Sequence, residues 1–120
     1  MAISATPWMG TITLPSANTV YQLAARLLAV DSVVRTNQFN ANALCCKCQF
    51  LTLQANPDGL AAARYYVGNE GLSTTHYGVV LFATQVWPIY SMDSNLIRLD
   101  QIYLMSNQDN ETINVSFISR

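Results

Sequence analysis

Short runs of alternating apolar and polar residues, each closed by turn-forming residues, recur along this sequence and restrict it to strand-built architectures. The clearest run is residues 62–69, AARYYVGN, in which Ala63, Tyr65 and Val67 alternate with Ala62, Arg64 and Tyr66 until Gly68 and Asn69 end it. Successive side chains of an extended backbone point to opposite sides, so this spacing describes a strand with one buried face. A polar run from Ser73 to Gly78 leads from it into the next apolar segment. Strand, turn, strand is the repeated unit, and no catalytic constellation surrounds it.

In chain order, residues 1–10 lack alternation and read as an N-terminal arm, with Pro7 keeping it extended and Ile3, Trp8 and Met9 as its large apolar groups. Residues 11–120 read as a single domain. A short strand at residues 11–14 is stopped by Pro15, which removes a ladder donor. Val20, Leu23, Ala24, Leu27 and Leu28 then fall on one helical face, so a helix is predicted over about residues 19–30, with Ser16 or Asn18 as its cap. Residues 31–43 dissolve into an Asn-rich loop, long for a compact domain and therefore a candidate contact, with Asn37 and Phe39 as its contact residues.

Residues 44–53 read as a strand in which Cys46, Cys48 and Phe50 share a face, with a β-bulge where the phase slips at Phe50 and Leu51. Asn56, Pro57, Asp58 and Gly59 make a turn: Pro presets φ, Asp can bond its own backbone and Gly tolerates positive φ. Residues 79–82 and 86–90 are two further strands, and Pro88 confines the second to a sheet edge or a bulge. Residues 97–105 read as strand, residues 107–110 as a hairpin turn, and Ile113, Val115 and Phe117 alternate in a last strand with one dry face. The predicted fold is mainly β, an antiparallel sandwich or barrel with one short N-terminal helix.

Charge narrows the function. Only 11% of the 120 residues are charged against 51% apolar, and the net charge is -1. Such a surface is poor at keeping copies apart, which points to a chain packed against neighbours as a homo-oligomer, with Trp87 as a further exposed anchor. The basic residues are scattered singly, so a nucleic-acid partner is not expected. No run reaches the roughly 18 apolar residues of a membrane span. Residues 1–10 have no basic start and no sustained apolar run, so a chain made and folded in a cytoplasm is expected.

Several residues invite chemistry and have plainer readings. Cys45, Cys46 and Cys48 with His76 offer zinc ligands, but strand neighbours diverge and the spacing lacks the gap that wraps a metal; buried, reduced cysteines are expected. Asp109 and Glu111 beside amide oxygens invite calcium but lack an EF-hand ligand set, so a turn is expected there. His76 has no orienting carboxylate or nucleophile near it, and Gly68, Gly71 and Gly78 are not followed by a Lys-Ser/Thr pair. No enzyme activity, metal or cofactor is expected.

Three stretches, CKCQFLTLQANPDG, ARYYVGNEGLSTTHYGVVL and NLIRLDQIYLMSNQDNETINVSFI, resemble a layout of small tailed-bacteriophage virion proteins. The resemblance rests on Gln54, Ala55 and Pro57, on Tyr66, Val67, Gly68, Ser73, Thr74, Gly78 and Leu81, and on Ile97, Leu99, Ile102 and Tyr103, over residues 44–118. The sequence departs after Leu81, where Phe82, Ala83, Thr84 and Gln85 replace the Pro-Gly-Glu turn of such proteins. The resemblance implies a virion structural protein with a β-sandwich core, a capsid decoration or cement protein that rivets capsomers, often as a trimer, with the major capsid protein or other virion proteins as partners. A neck, tail or fibre subunit is the second reading. A carbohydrate-binding sandwich with Tyr65, Tyr66, Tyr77 and Trp87 as its platform is the third.

Overall fold

The computed structural model describes residues 7–30, 47–90 and 97–119. It is a mainly β sandwich of two antiparallel sheets with one α-helix. Sheet A is built from β1 (Pro7–Leu14), β9 (Glu111–Ser119), β3 (Lys47–Ala55) and β6 (Val86–Tyr90), in that order, with β7 (Ile97–Arg98) on β3 beside β6. Sheet B follows the order β2 (Tyr21–Gln22), β8 (Tyr103–Ser106), β4 (Arg64–Gly68), β5 (Val79–Phe82). The helix α1 (Leu23–Val30) and a 3-10 turn (Leu99–Gln101) contribute Leu23, Ala24, Leu27 and Leu99 to the core.

One hydrophobic cluster lies between the sheets. Sheet A supplies Ile12, Leu14, Leu51, Leu53, Ile113, Val115 and Phe117, and sheet B supplies Tyr65, Val67, Leu81 and Leu104, with Ala63 just before β4. Those positions are alternate ones, so the period-two pattern of residues 62–69 and of β9 carries directly into burial. Pro88 sits on the edge strand β6, opposite Thr52, where its missing N–H costs no ladder bond on the open side.

Several segments differ from the pattern-based expectation. β1 starts at Pro7, inside the predicted arm, because β9 offers a partner for every residue from Pro7 to Leu14. Pro7 fits there as the first residue of an edge strand. The predicted helix over 19–30 is shorter: Tyr21 and Gln22 pair with Leu104 and Tyr103, and the Leu23 N–H bonds to the Ile102 carbonyl, so the helical face begins at Leu23. Asn18 is no cap; it takes a left-handed φ of 56° and its N–H bonds to the Ser106 carbonyl. The bulge lies between Cys48 and Phe50, so Cys48 points inward while Phe50 points outward, and the two do not share a face.

Residues 97–105 are not one strand. The chain leaves sheet A after Arg98, makes the 3-10 turn and enters sheet B at Tyr103. The 107–110 turn is likewise no hairpin, because β8 belongs to sheet B and β9 to sheet A. Asn107 holds that crossing: its Oδ1 accepts from the Arg64 N–H at 2.8 Å and its Nδ2 donates to the Ala62 carbonyl at 3.1 Å. In the 56–59 turn Asn56, not Asp58, makes the side-chain bond, accepting from the Asp58 N–H at 3.0 Å. Gly59 has no positive φ; its lack of a Cβ is what matters, since one would stand 2.6 Å from the Tyr65 hydroxyl.

Candidate interaction surface

The outer face of sheet A is set by register. Met9, Ser116, Thr52 and Pro88 form one row across the four strands, and Thr11, Asn114, Gln54 and Val86 form the next. Thr13 and Thr112 extend the face on one side, Phe50 and Tyr90 on the other. None of these residues is charged: β1, β3 and β9 turn mainly Thr, Ser, Asn or Gln to the wet side and β6 turns Val86, Pro88 and Tyr90, while the charged positions Lys47 and Arg98 stand apart where β7 joins β3.

The middle of the face is an ordered polar ladder. The Thr11 hydroxyl donates to Asn114 Oδ1 at 2.8 Å, and Asn114 Nδ2 donates to Gln54 Oε1 at 3.1 Å, which ties three strands together. The ladder floors an open groove of about 350 Å³ bordered by Met9, Thr52 and Ser116. Around it stand large exposed apolar groups: Met9 is 77% exposed, Tyr90 58%, Val86 50% and Phe50 46%. The Phe50 and Tyr90 rings lie 6.2 Å apart. Donors, acceptors and apolar knobs thus share the uncharged middle of the face. Binding there gains little from long-range charge steering and loses little to salt.

Among the residues expected to make contacts, Met9 lies on this face. Trp8 pairs in register with Phe117 within β1. Trp87 is half-buried and packs on the core opposite Leu53, since its register position belongs to the inward series, so it is not an exposed anchor. Ile3, Asn37 and Phe39 lie outside the described residues, as do Cys45, Cys46 and the whole Asn-rich loop over residues 31–43. The platform of Tyr65, Tyr66, Tyr77 and Trp87 does not assemble. Tyr65 is fully buried, and only Tyr66 and Tyr77 meet, edge to face at 5.2 Å.

Three titratable groups are buried among the described residues: Cys48, Tyr65 and Glu111. Burial pushes the Cys48 thiol up to about 12, which leaves it a poor nucleophile and a poor metal ligand at neutral pH. Tyr65 is pushed well above the usual phenol range, first by burial and then by the Glu111 carboxylate that accepts its hydroxyl at 2.6 Å. Glu111 is the one buried carboxylate among the described residues, and Asn56 Nδ2 also reaches it, at 3.5 Å. The turn pattern puts Glu111 at a solvent-facing position, whereas its parity with Ile113, Val115 and Phe117 marks it as facing the core. Among the described residues no three His, Cys, Asp or Glu side chains gather as a metal site.

No protein-family model matches this chain, and no curated protein matches it.

Proposed function

We propose that this chain is a bacteriophage virion structural protein, a capsid decoration or cement subunit that docks through the outer face of sheet A and has no catalytic role. The observation that carries this reading is the uncharged middle of that face, with its three-strand ladder from Thr11 through Asn114 to Gln54 and the exposed Met9, Phe50, Val86 and Tyr90 around it. The resemblance of residues 44–118 to small virion proteins supplies the setting. Several residues that carry it, Ala55, Val67, Leu81 and Leu99 among them, are buried core positions, so they support a shared scaffold.

Stable pairs of proteins use about 20–30 residues a side, and the outward positions of sheet A provide roughly half of that. One such contact is weak, whereas a homo-oligomer engaging the major capsid protein at several identical sites multiplies it into firm attachment. The test places a charge in the middle of the face. Thr52→Lys should leave the melting temperature unchanged and reduce occupancy on particles lacking the protein at least tenfold. Wild-type occupancy should resist 0.5 M salt, on the order expected for an uncharged contact. Full occupancy by the Thr52→Lys chain would refute attachment through this face, and attachment to tails in place of heads would refute the decoration role.

A further inference from the structure

On the opposite sheet, Gly68 at the end of β4 pairs in register with Tyr103 at the start of β8, and two hollows adjoin there. The first, about 260 Å³, is bordered by Glu70, Asp100, Gln101 and Tyr103. The second, about 230 Å³, lies between the Tyr77 ring, His76 and the bare backbone of Gly68 and Gly78. Asn69 lines both, so the two hollows meet at one wall of a shared cleft, and each is somewhat smaller than the ~300–1,000 Å³ of drug-sized ligand sites.

The walls are fixed before any ligand arrives. Asn69 Oδ1 accepts from the Gly71 N–H at 2.9 Å, Ser73 and His76 exchange backbone bonds at 2.9 and 3.3 Å, and buried Leu72 pins the loop to the body. Tyr77 is braced by the edge-to-face contact with Tyr66. Asp100 is gripped by Arg98 through two bonds, at 3.1 and 2.7 Å. Glu70, Gln101 and the Tyr77 and Tyr103 hydroxyls, by contrast, make no hydrogen bond among the described residues.

That combination selects a ligand chemistry. The Arg98 fork offsets the Asp100 charge and turns the carboxylate into a pair of positioned acceptors, which leaves Glu70 as the carboxylate of the cleft without an ion pair among the described residues. A cation would find too little negative charge and too few ligands. A nucleotide or other anion would meet Glu70. Carboxylate, amide and phenol groups with spare bonds, beside an exposed tyrosine ring, match the adjacent hydroxyls and C–H faces of a sugar. We propose that this cleft binds a neutral saccharide, with Asp100, Glu70 and Gln101 on its hydroxyls and Tyr77 against a ring face. The cleft shares no lining residue with the groove on sheet A, so the two proposals are tested separately.

The test presents the full chain to immobilised neutral glucans, galactans, mannans and rhamnans, with the matching free methyl glycosides as competitors. One class should retain the protein, and its methyl glycoside should displace it. Gln101→Ala, Tyr103→Phe and Tyr77→Ala should each weaken retention about three- to tenfold with the melting temperature unchanged. Thr52→Lys should bind the glycan as wild type does, which separates a failed cleft from a failed attachment face. Retention on none of the four glycans, retention indifferent to all three cleft variants, or salt-sensitive binding to a lysine-rich peptide in place of glycan would each overturn the assignment.

Discussion

Removing the Tyr65 hydroxyl tests whether the buried polar pair holds the sandwich together. Tyr65→Phe keeps the ring in the core and creates almost no cavity, but it takes from Glu111 the donor at 2.6 Å and leaves its carboxylate with Asn56 at 3.5 Å. A hydrogen bond to a charged group contributes about 1.5–3 kcal/mol, and a buried acceptor left short of donors costs its desolvation as well. The expected loss is about 2–3 kcal/mol, or roughly 5–15 °C in Tm for a chain of this size. Replacing both partners by apolar groups of similar shape can be nearly neutral. The double variant Tyr65→Phe with Glu111→Met should therefore be more stable than Tyr65→Phe alone. Urea unfolding with an unchanged m-value reads both effects. A single-variant loss under about 0.5 kcal/mol, or a double variant no better than the single one, would refute the reasoning.

Gly59→Ala should destabilise the wild-type chain, because its Cβ would lie 2.6 Å from the Tyr65 hydroxyl, and the cost should shrink in the Tyr65→Phe background; equal costs in thermal melts of both would contradict the contact. Cys48 makes stability fall at alkaline pH: its folded pKa is raised, so its contribution is complete below the unfolded value of 9.0 and is lost as pH rises towards about 12. Cys48→Ala should flatten the pH profile of unfolding over that window by about 1.4 kcal/mol per pH unit. Truncation after Met9 removes the first three pairs of β1, those with Ile118, Phe117 and Ser116, and should lower stability by about 1–3 kcal/mol, measured by urea titration; an unaltered midpoint would mean that these pairs contribute nothing.

Strand bounds were legible where a strand buries one face. Val79–Phe82 and Val86–Tyr90 match the residues read from the sequence, and Ala63, Tyr65 and Val67 are buried as their alternation requires. Pro88 marked an edge because a missing N–H has only one tolerable place in a sheet. What alternation does not carry is partnership. Tyr21 and Gln22 fit a helical face equally well until Leu104 and Tyr103 are known to lie beside them. Residues 97–105 look continuous because the inward side of sheet A and the inward side of sheet B are equally apolar. The polar ladder was hidden for the same reason: Thr11, Asn114 and Gln54 are ordinary wet-face residues until register sets them in one row. The proposed cleft joins a loop to a turn about thirty residues away in sequence, and the Gly68 to Tyr103 pairing brings them together.

The placement of β9 has a kinetic consequence. It lies between β1 and β3, so among the described strands β1 has no neighbour until β9 has been synthesised. Of the consecutive strands, β4 and β5 pair directly, and the other ladders close large loops whose entropy must be met before contacts repay it. A chain wired in this way folds on the millisecond-to-second scale typical of sandwiches rather than in microseconds. On the ribosome, β1 waits with an apolar face uncovered, and the arrival of β9 completes both halves of sheet A in a single event.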